Sequence, residues 1–257
     1  MAKIICIANQ KGGVGKTTTA VNLSSSLAVA ERRTLLVDMD PQGNAGSGVG
    51  IDKGSLKESI YDVLINDEDP HRVVVPTAIP FLSVLPATTD LAGAELELVS
   101  VIGRELKLRE ALEPLVAAYD YIVIDSPPSL GLLTVNAMTA AHSVLIPLQC
   151  EFYAMEGLSQ ILKTIRLVQK ALNPTLTIEG ILLTMYDVRN NLSRQVSEEI
   201  RVHFPTETFE AVIPRNVRLS EAPSHGKPII LYDIASRGAT SYLELAKEII
   251  QREVAHG

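Results

Sequence analysis

The stretch Ile4-Ile5-Cys6-Ile7-Ala8-Asn9-Gln10-Lys11-Gly12-Gly13-Val14-Gly15-Lys16-Thr17-Thr18 decides the fold. An unbroken apolar run from Ile4 to Ala8 reads as a strand buried on both faces. A glycine-rich turn follows, and then a helical pattern from about Thr17 to Ala30. Glycines let the backbone turn tightly and aim its N–H groups at phosphate oxygens. The helix N-terminus near Lys16 adds unsatisfied donors and a favourable dipole. In this context Lys16 is expected to reach β- and γ-phosphates, and the Thr17 hydroxyl to ligate Mg²⁺. One departure from the GxxxxGK[ST] spacing stands out: Gln10 takes the first glycine position, and a second lysine follows at Lys11. A cation beside a phosphate site can neutralise charge that develops as a γ-phosphoryl group is transferred.

Outward from this turn, Thr34-Leu35-Leu36-Val37 is a second buried strand. Further strands are expected at Phe81 to Leu85, Tyr121 to Ile124, Ser143 to Pro147 and Ile178 to Met185. Helical patterns cover Glu105 to Ala118, Leu130 to Ala140 and Gly157 to Leu172. Continuous apolar strands alternating with helices predict a three-layer α/β fold, a mostly parallel twisted sheet flanked by helices. No linker, low-complexity run or repeat interrupts it, so a single domain over residues 1–257 is expected. The segment from Gly43 to Ala78, with Gly46, Gly48, Gly50 and Gly54, is the least regular. It reads either as a mobile loop near the site or as a surface excursion.

With 46% hydrophobic residues, no Trp and 4% aromatics, the core must be mainly aliphatic. Cys6 and Cys150 lie in apolar or mixed strand-like surroundings and read as buried, reduced thiols rather than a disulfide or metal pair. The five histidines have no metal-ligand spacing. The apolar run at the N-terminus is too short for a signal peptide, and no stretch reaches the ~20 apolar residues of a membrane span. A cytoplasmic protein is expected. The net charge of −7 argues mildly against nucleic acid as a partner but leaves room for a local basic patch.

Two further stretches carry carboxylates at strand ends, where open α/β sheets bind ligands. Leu36-Val37-Asp38-Met39-Asp40-Pro41-Gln42-Gly43-Asn44 ends a strand with two acids. Such acids hold the waters of Mg²⁺ or position an attacking water, or simply cap a loop. Tyr121-Ile122-Val123-Ile124-Asp125-Ser126-Pro127-Pro128-Ser129 has the form of an apolar strand ending in a metal-holding acid. The following Ser-Pro-Pro-Ser suits a segment that senses a γ-phosphate.

Lys11-Gly12-Gly13-Val14-Gly15-Lys16-Thr17-Thr18 resembles the deviant phosphate-binding motif of the ParA/MinD ATPases. The resemblance extends to Asp38–Ala45, to Gln149-Cys150-Glu151-Phe152-Tyr153-Ala154-Met155-Glu156-Gly157-Leu158 and to the block from Val212 to Pro228. It is strongest to the short chromosomal ParA type called Soj. It implies that Gly12, Gly13, Val14, Gly15, Lys16, Thr17 and Thr18 bind ATP. Lys11 would reach across a nucleotide-sandwich homodimer to the other subunit's phosphates. Asp40 would position the hydrolytic water, Asp125 would hold Mg²⁺ with Thr17, and Asp38 would lie in the outer shell of the metal. Pro214 and Asn216 would lie by the adenine, and Arg189 and Arg218 would meet DNA phosphates. Further implications are non-specific binding of double-stranded DNA by the ATP dimer, nucleoid association, and hydrolysis stimulated by a ParB-like partner.

Rival readings follow from the same motif. A MinD-like membrane ATPase needs a basic amphipathic C-terminal helix. The pattern from Thr240 to Val254 is slightly acidic and is better read as a helix docked on the sheet. An iron–sulfur reductase of the nitrogenase iron-protein type needs two cysteines per subunit for its shared cluster, and neither Cys6 nor Cys150 follows the Asp125 strand. An ATP-dependent DNA-binding scaffold with incidental hydrolysis is a third. Because Lys3 already starts the first strand, no helix-turn-helix region is expected ahead of the motif.

Overall fold

The computed structural model describes residues 2–256, with the side chains of residues 254–256 left undescribed. Eight strands form one sheet: β1 (Lys3–Ile7), β2 (Thr34–Asp38), β3 (Val75–Pro76), β4 (Leu82–Leu85), β5 (Tyr121–Asp125), β6 (Ser143–Gln149), β7 (Thr177–Tyr186) and β8 (Thr208–Pro214). Their order is β3-β4-β2-β5-β1-β6-β7-β8, and every pair is parallel except β3 with β4. The five longest helices are labelled α1 (Lys16–Val29), α2 (Leu132–Ala140), α3 (Ala154–Ala171), α4 (Asn191–His203) and α5 (Arg237–His256).

Each central strand sends alternate residues to opposite faces, because side chains in a strand have a period of two. Ile4, Cys6, Leu35, Val37, Ile122 and Ile124 pack with Leu133 of α2, Ile161 of α3 and Ile200 of α4. Ile5, Ile7, Leu36, Val123 and Leu145 pack with Leu23 and Leu27 of α1 and with Tyr242, Leu245 and Ile249 of α5. Both faces are therefore covered, and the strands read as continuous apolar runs for that reason. Each fully buried Leu or Ile contributes about 1.5–3 kcal/mol relative to exposure. Cys6 and Cys150 are both buried free thiols. Burial is the main cause raising the pKa of each.

The expected strands and helices are present, with ends shifted by a few residues. The helix expected from Glu105 to Ala118 is shorter, Lys107–Leu112 followed by a 3₁₀ turn at Glu113–Leu115. Pro114 at the start of that turn cannot continue the α-helical hydrogen-bond ladder. The segment from Gly43 to Ala78 contains helical pieces at Asn44–Gly48, Ile60–Ile65 and Pro70–Val73, plus β3. Ile60, Val63, Leu64 and Val73 are buried there. Ser59 and Asp62 form a reciprocal capping box at the Ile60 helix.

β1 lies between β5 and β6, while the chain leaves β1 for β2 on the far side of β5. This reversal of direction opens a crevice at the carboxyl ends of β1, β2 and β5. At the other edge, β7 and β8 approach closely at Gly180. A Cβ there would lie 2.5 Å from Phe209 Cε2 and 2.8 Å from the Glu207 carbonyl oxygen. Gly180→Ala should therefore push the last two strands apart and lower stability by about 1–3 kcal/mol in urea unfolding. An unchanged midpoint would show that the edge relaxes freely.

Candidate active site

The loop after β1 is tied down before it reaches its glycines. Asn9 Nδ2 donates to the Pro147 carbonyl (2.7 Å), and Asn9 Oδ1 accepts from Lys11 N–H (3.0 Å). Thr184 Oγ1 donates to the Val14 carbonyl (2.9 Å), pinning the far side of the loop to β7. Gly13 and Gly15 have φ of 74° and 89°, a left-handed backbone that disfavours residues with a Cβ. Gly15 is the N-cap of α1, so no side chain caps the helix, and its first turn holds no acid. Uncapped N–H groups in that arrangement favour an anion.

Lys16 is only 7% exposed, and its ammonium donates to the Lys11 carbonyl (3.1 Å). Burial lowers its pKa, while Asp125 and Asp40 act in the opposite direction. Gly12, Gly13, Lys16, Thr17, Thr18, Asp40, Pro128 and Met185 line one cavity of about 260 Å³. Asp40 is half-buried and accepts from Gln42 N–H (2.9 Å).

Asp38 and Asp125 end adjacent parallel strands in register. Both are fully buried. Asp38 accepts from Asp40 N–H (3.1 Å) on Oδ1 and from Gly46 N–H (3.0 Å) on Oδ2. It thereby fixes the backbone that carries Asp40 and the turn behind it. Burial pushes its pKa up to about 7, against those backbone hydrogen bonds. Asp125 is raised well above the usual carboxylate range, first by burial and then by Asp38. The Thr17 hydroxyl lowers it, yet neither Asp125 oxygen is in a complete hydrogen bond.

Buried polar atoms in folded proteins are nearly always paired, so this orphaned carboxylate calls for a partner. A small divalent cation fits. Mg²⁺ takes few protein oxygens and completes its octahedron with phosphate and water. Among the described residues no group of three or more His, Cys, Asp or Glu could hold a metal without such help. Thr17 and Asp125 are the side chains that could hold it.

A second cavity, of about 500 Å³, is lined by Gly15, Thr18, Met185, Pro214, Asn216, Val217 and Tyr242 among others. Met185 has φ of 51°, a left-handed conformation that is uncommon without glycine and concentrates at functional sites. Asn216 Oδ1 caps the short helix Val217–Glu221 through Arg218 N–H. Pro214 and Asn216 thus stand beside the phosphate loop, while Met185, Val217 and Tyr242 were not singled out from sequence. The φ of Met185 leaves no mark in the sequence.

Lys11 lies at the rim. Its ammonium pairs with Glu151 (2.8 Å), the two side chains being 43% and 47% exposed. Gln149 holds the other oxygen of Glu151. Arg189 is 86% exposed and pairs bidentately with Asp187, whose pKa it lowers to about 2. Arg218 pairs with Glu221 (2.9 Å) and Asp233 (3.5 Å). Tyr186, next to Asp187 at the end of β7, pairs with Pro214 at the end of β8, so both arginines stand beyond the carboxyl ends of the last two strands.

The family model described as an AAA domain matches residues 2–178. The chromosome partitioning protein ParA of Myxococcus xanthus is 62% identical over 253 residues, 98% of this chain and 89% of that protein. The sporulation initiation inhibitor protein Soj of Bacillus subtilis is 61% identical over 249 residues, 97% and 98% of the respective chains. Among solved structures, cobyrinic acid a,c-diamide synthase from Mycobacterium smegmatis with bound ADP and magnesium superposes with a TM-score of 0.87. It is 39% identical, covering 100% of this chain and 97% of that one. The chain thus stands nearer in sequence to the two partitioning relatives.

Two buried, adjacent carboxylates with raised pKa values destabilise the cation-free protein as they ionise. A raised carboxyl pKa gives stability that is full below the unfolded value and lost as pH rises through the folded value. Asp125→Asn should therefore stabilise the cation-free protein, by ~1 kcal/mol or about 2–4 °C for a chain of this size. That gain should be small near pH 4 and should grow as pH rises above the ordinary carboxylate range, because burial and then Asp38 raise the Asp125 pKa. Thermal melts in chelator at several pH values measure it. A pH-independent difference would contradict the account.

Proposed function

The chain belongs to the ParA/Soj family of chromosome-partitioning P-loop ATPases, and from that premise we propose that ATP pairs two copies face to face into a form that binds duplex DNA without sequence preference. It is an ATPase, with ATP and Mg²⁺ as its cofactors. The observation that carries the proposal is the state of Lys11. This lysine belongs to the phosphate loop, yet it is held outward at the rim by Glu151. A partly exposed ion pair of this kind is worth about 0–1 kcal/mol, so a phosphate of a second subunit can displace it.

In the proposed mechanism the N–H groups of residues 12–18 and the Lys16 ammonium bind the phosphates, and the whole chain acts as one ATPase unit. Thr17 and Asp125 would hold Mg²⁺, with Asp38 in its outer shell, and the ion when bound would offset the charge of the β- and γ-phosphates. Asp40 orients the attacking water, and the Lys11 of the facing subunit neutralises charge on the transferred group. Pro214 and Asn216 accept the base in the larger cavity. Hydrolysis, accelerated by a ParB-like partner, releases the pair from DNA.

Arg189 and Arg218 contact DNA phosphates, which places the protein on the nucleoid in the cytoplasm. A membrane role has little support. No described helix is long and apolar enough to cross a membrane. The apolar face of α5 is already occupied, because Tyr242, Leu245, Ala246 and Ile249 are buried in the core shared with α1 and β8.

The test is salt-dependent binding to random-sequence duplex DNA. Asp40→Ala protein should bind with ATP and not with ADP, while Lys16→Ala should bind with neither. Each phosphate neutralised contributes about −0.9 to the slope of log K against log salt. Arg189→Ala removes one contact per subunit, so the slope should become shallower by roughly two in a pair. Equal binding with ADP and ATP would rule out the nucleotide-gated pair.

A further inference from the structure

The larger cavity is built from two parts of the chain that are far apart in sequence. One wall is Gly15 and Thr18, at the start of α1; another is Pro214 to Leu219, from the end of β8 onward. Two buried polar links join the helix behind the first wall to the segments behind the second. Asn22, on α1, is 5% exposed. Its Nδ2 donates to the Thr18 carbonyl (2.8 Å), and its Oδ1 accepts from Ile229 N–H (2.7 Å). Ile229 begins a short helix whose N-cap is Pro228, which has no side-chain cap to offer. Asn22 supplies that cap from another element. Tyr242, on α5, places its hydroxyl 3.2 Å from Thr19 Oγ1 with both side chains buried. Tyr242 also lines the cavity.

The remaining support is steric. A Cβ at Gly238, in the first turn of α5, would lie 2.8 Å from Leu219 Cγ. Leu219 is itself a wall residue of the cavity. Asparagine is a poor residue for a helix interior because its amide competes for backbone groups. Its burial there, with both ends of the amide engaged, marks a positional requirement rather than a helical preference.

We infer that Asn22 and Tyr242 are positioning residues for the nucleotide base, setting the separation between the phosphate-binding helix and the wall from Pro214 to Leu219. They act on base affinity and base selectivity without touching phosphate. The inference rests on assignment of the 500 Å³ cavity to the base.

Equilibrium binding of ATP, GTP and inorganic tripolyphosphate, with Mg²⁺ present, separates the possibilities. Wild type should bind ATP more tightly than tripolyphosphate and more tightly than GTP. In Asn22→Ala, ATP affinity should fall on the order of tenfold, since a buried N–H loses its acceptor. The preference for ATP over GTP should narrow, and tripolyphosphate affinity should stay within about twofold. Steady-state hydrolysis should show a raised KM with little change in kcat. Tyr242→Phe, which keeps the ring and removes only the hydroxyl, should shift the same quantities less, and it decides the matter if Asn22→Ala does not fold. A parallel loss of ATP and tripolyphosphate would mean a general disturbance of the site and overturn the inference, as would unchanged ATP affinity in both variants. Wild type that binds tripolyphosphate as tightly as ATP would overturn the base assignment, and the inference with it.

Discussion

The arrangement depends on burying Asp38 and Asp125 side by side at the ends of neighbouring parallel strands. Like charges removed from water repel strongly and lose hydration, so their joint ionisation is resisted. The two acids are treated differently. Asp38 is answered by two backbone N–H groups, from Asp40 and Gly46, and so becomes the fastening of the turn after β2. Asp125 is left unanswered. Within an aliphatic sheet this is an unfavourable local state, sustained by packing on both faces and relieved by a cation. A cation bound there, as proposed, would relieve that state, and a site of this kind would thereby link ligand to conformation.

How much of this could be read from the sequence depended on contiguity. The buried strands were legible because both of their faces are covered and the apolar runs are unbroken. β8 was not identified as a strand: Thr208-Phe209-Glu210-Ala211-Val212-Ile213-Pro214 lies at the sheet edge and interrupts its apolar residues with an exposed Glu210. α4 was missed because only one stripe of a mostly polar helix, Val196 and Ile200 with small serines, is buried. The segment after Gly43 looked irregular from its glycines, yet local caps such as Ser59 with Asp62 order it. The same rule separates the two halves of the site. The phosphate loop and the strand-end acids Asp38, Asp40 and Asp125 sit in three short motifs, which contiguity makes visible in the sequence. The larger cavity gathers residues from four distant segments, and the partner of Lys11 is 140 residues away. Nothing in local spacing brings those together.

Lys11, Arg189 and Arg218 share one feature, which is that each is already paired within its own chain. Lys11 is with Glu151, Arg189 with Asp187, and Arg218 with Glu221 and Asp233. Exposed pairs contribute little to stability, because water and salt screen the attraction and ordering long side chains has an entropic cost. Their effect is geometric. Each cation is held by its ion pair in the unbound molecule, so less side-chain freedom would be lost if, as proposed, a phosphate replaces the carboxylate. The exchange also discriminates. Under the proposed function, a phosphate group displaces a carboxylate only where several contacts form together, so a single copy with two such arginines would gain little and a pair would gain on four.

Charge over the whole molecule reinforces this dependence on pairing. With a net charge of −7 per chain, two copies carry twice that, −14. A polyanion such as DNA meets net repulsion at long range, but at physiological salt the Debye length is about 8 Å, so distant acids count for little at contact. What would survive screening in the proposed complex is the local set of guanidinium–phosphate contacts, whose counterion release grows with the number made at once. An acidic chain with few basic contacts is therefore a better switch than a strongly basic one. The basic protein would hold DNA as a single copy in any nucleotide state. Under the proposed function, the acidic one holds it only when the phosphate site has brought two copies, and all four arginines, to the same duplex.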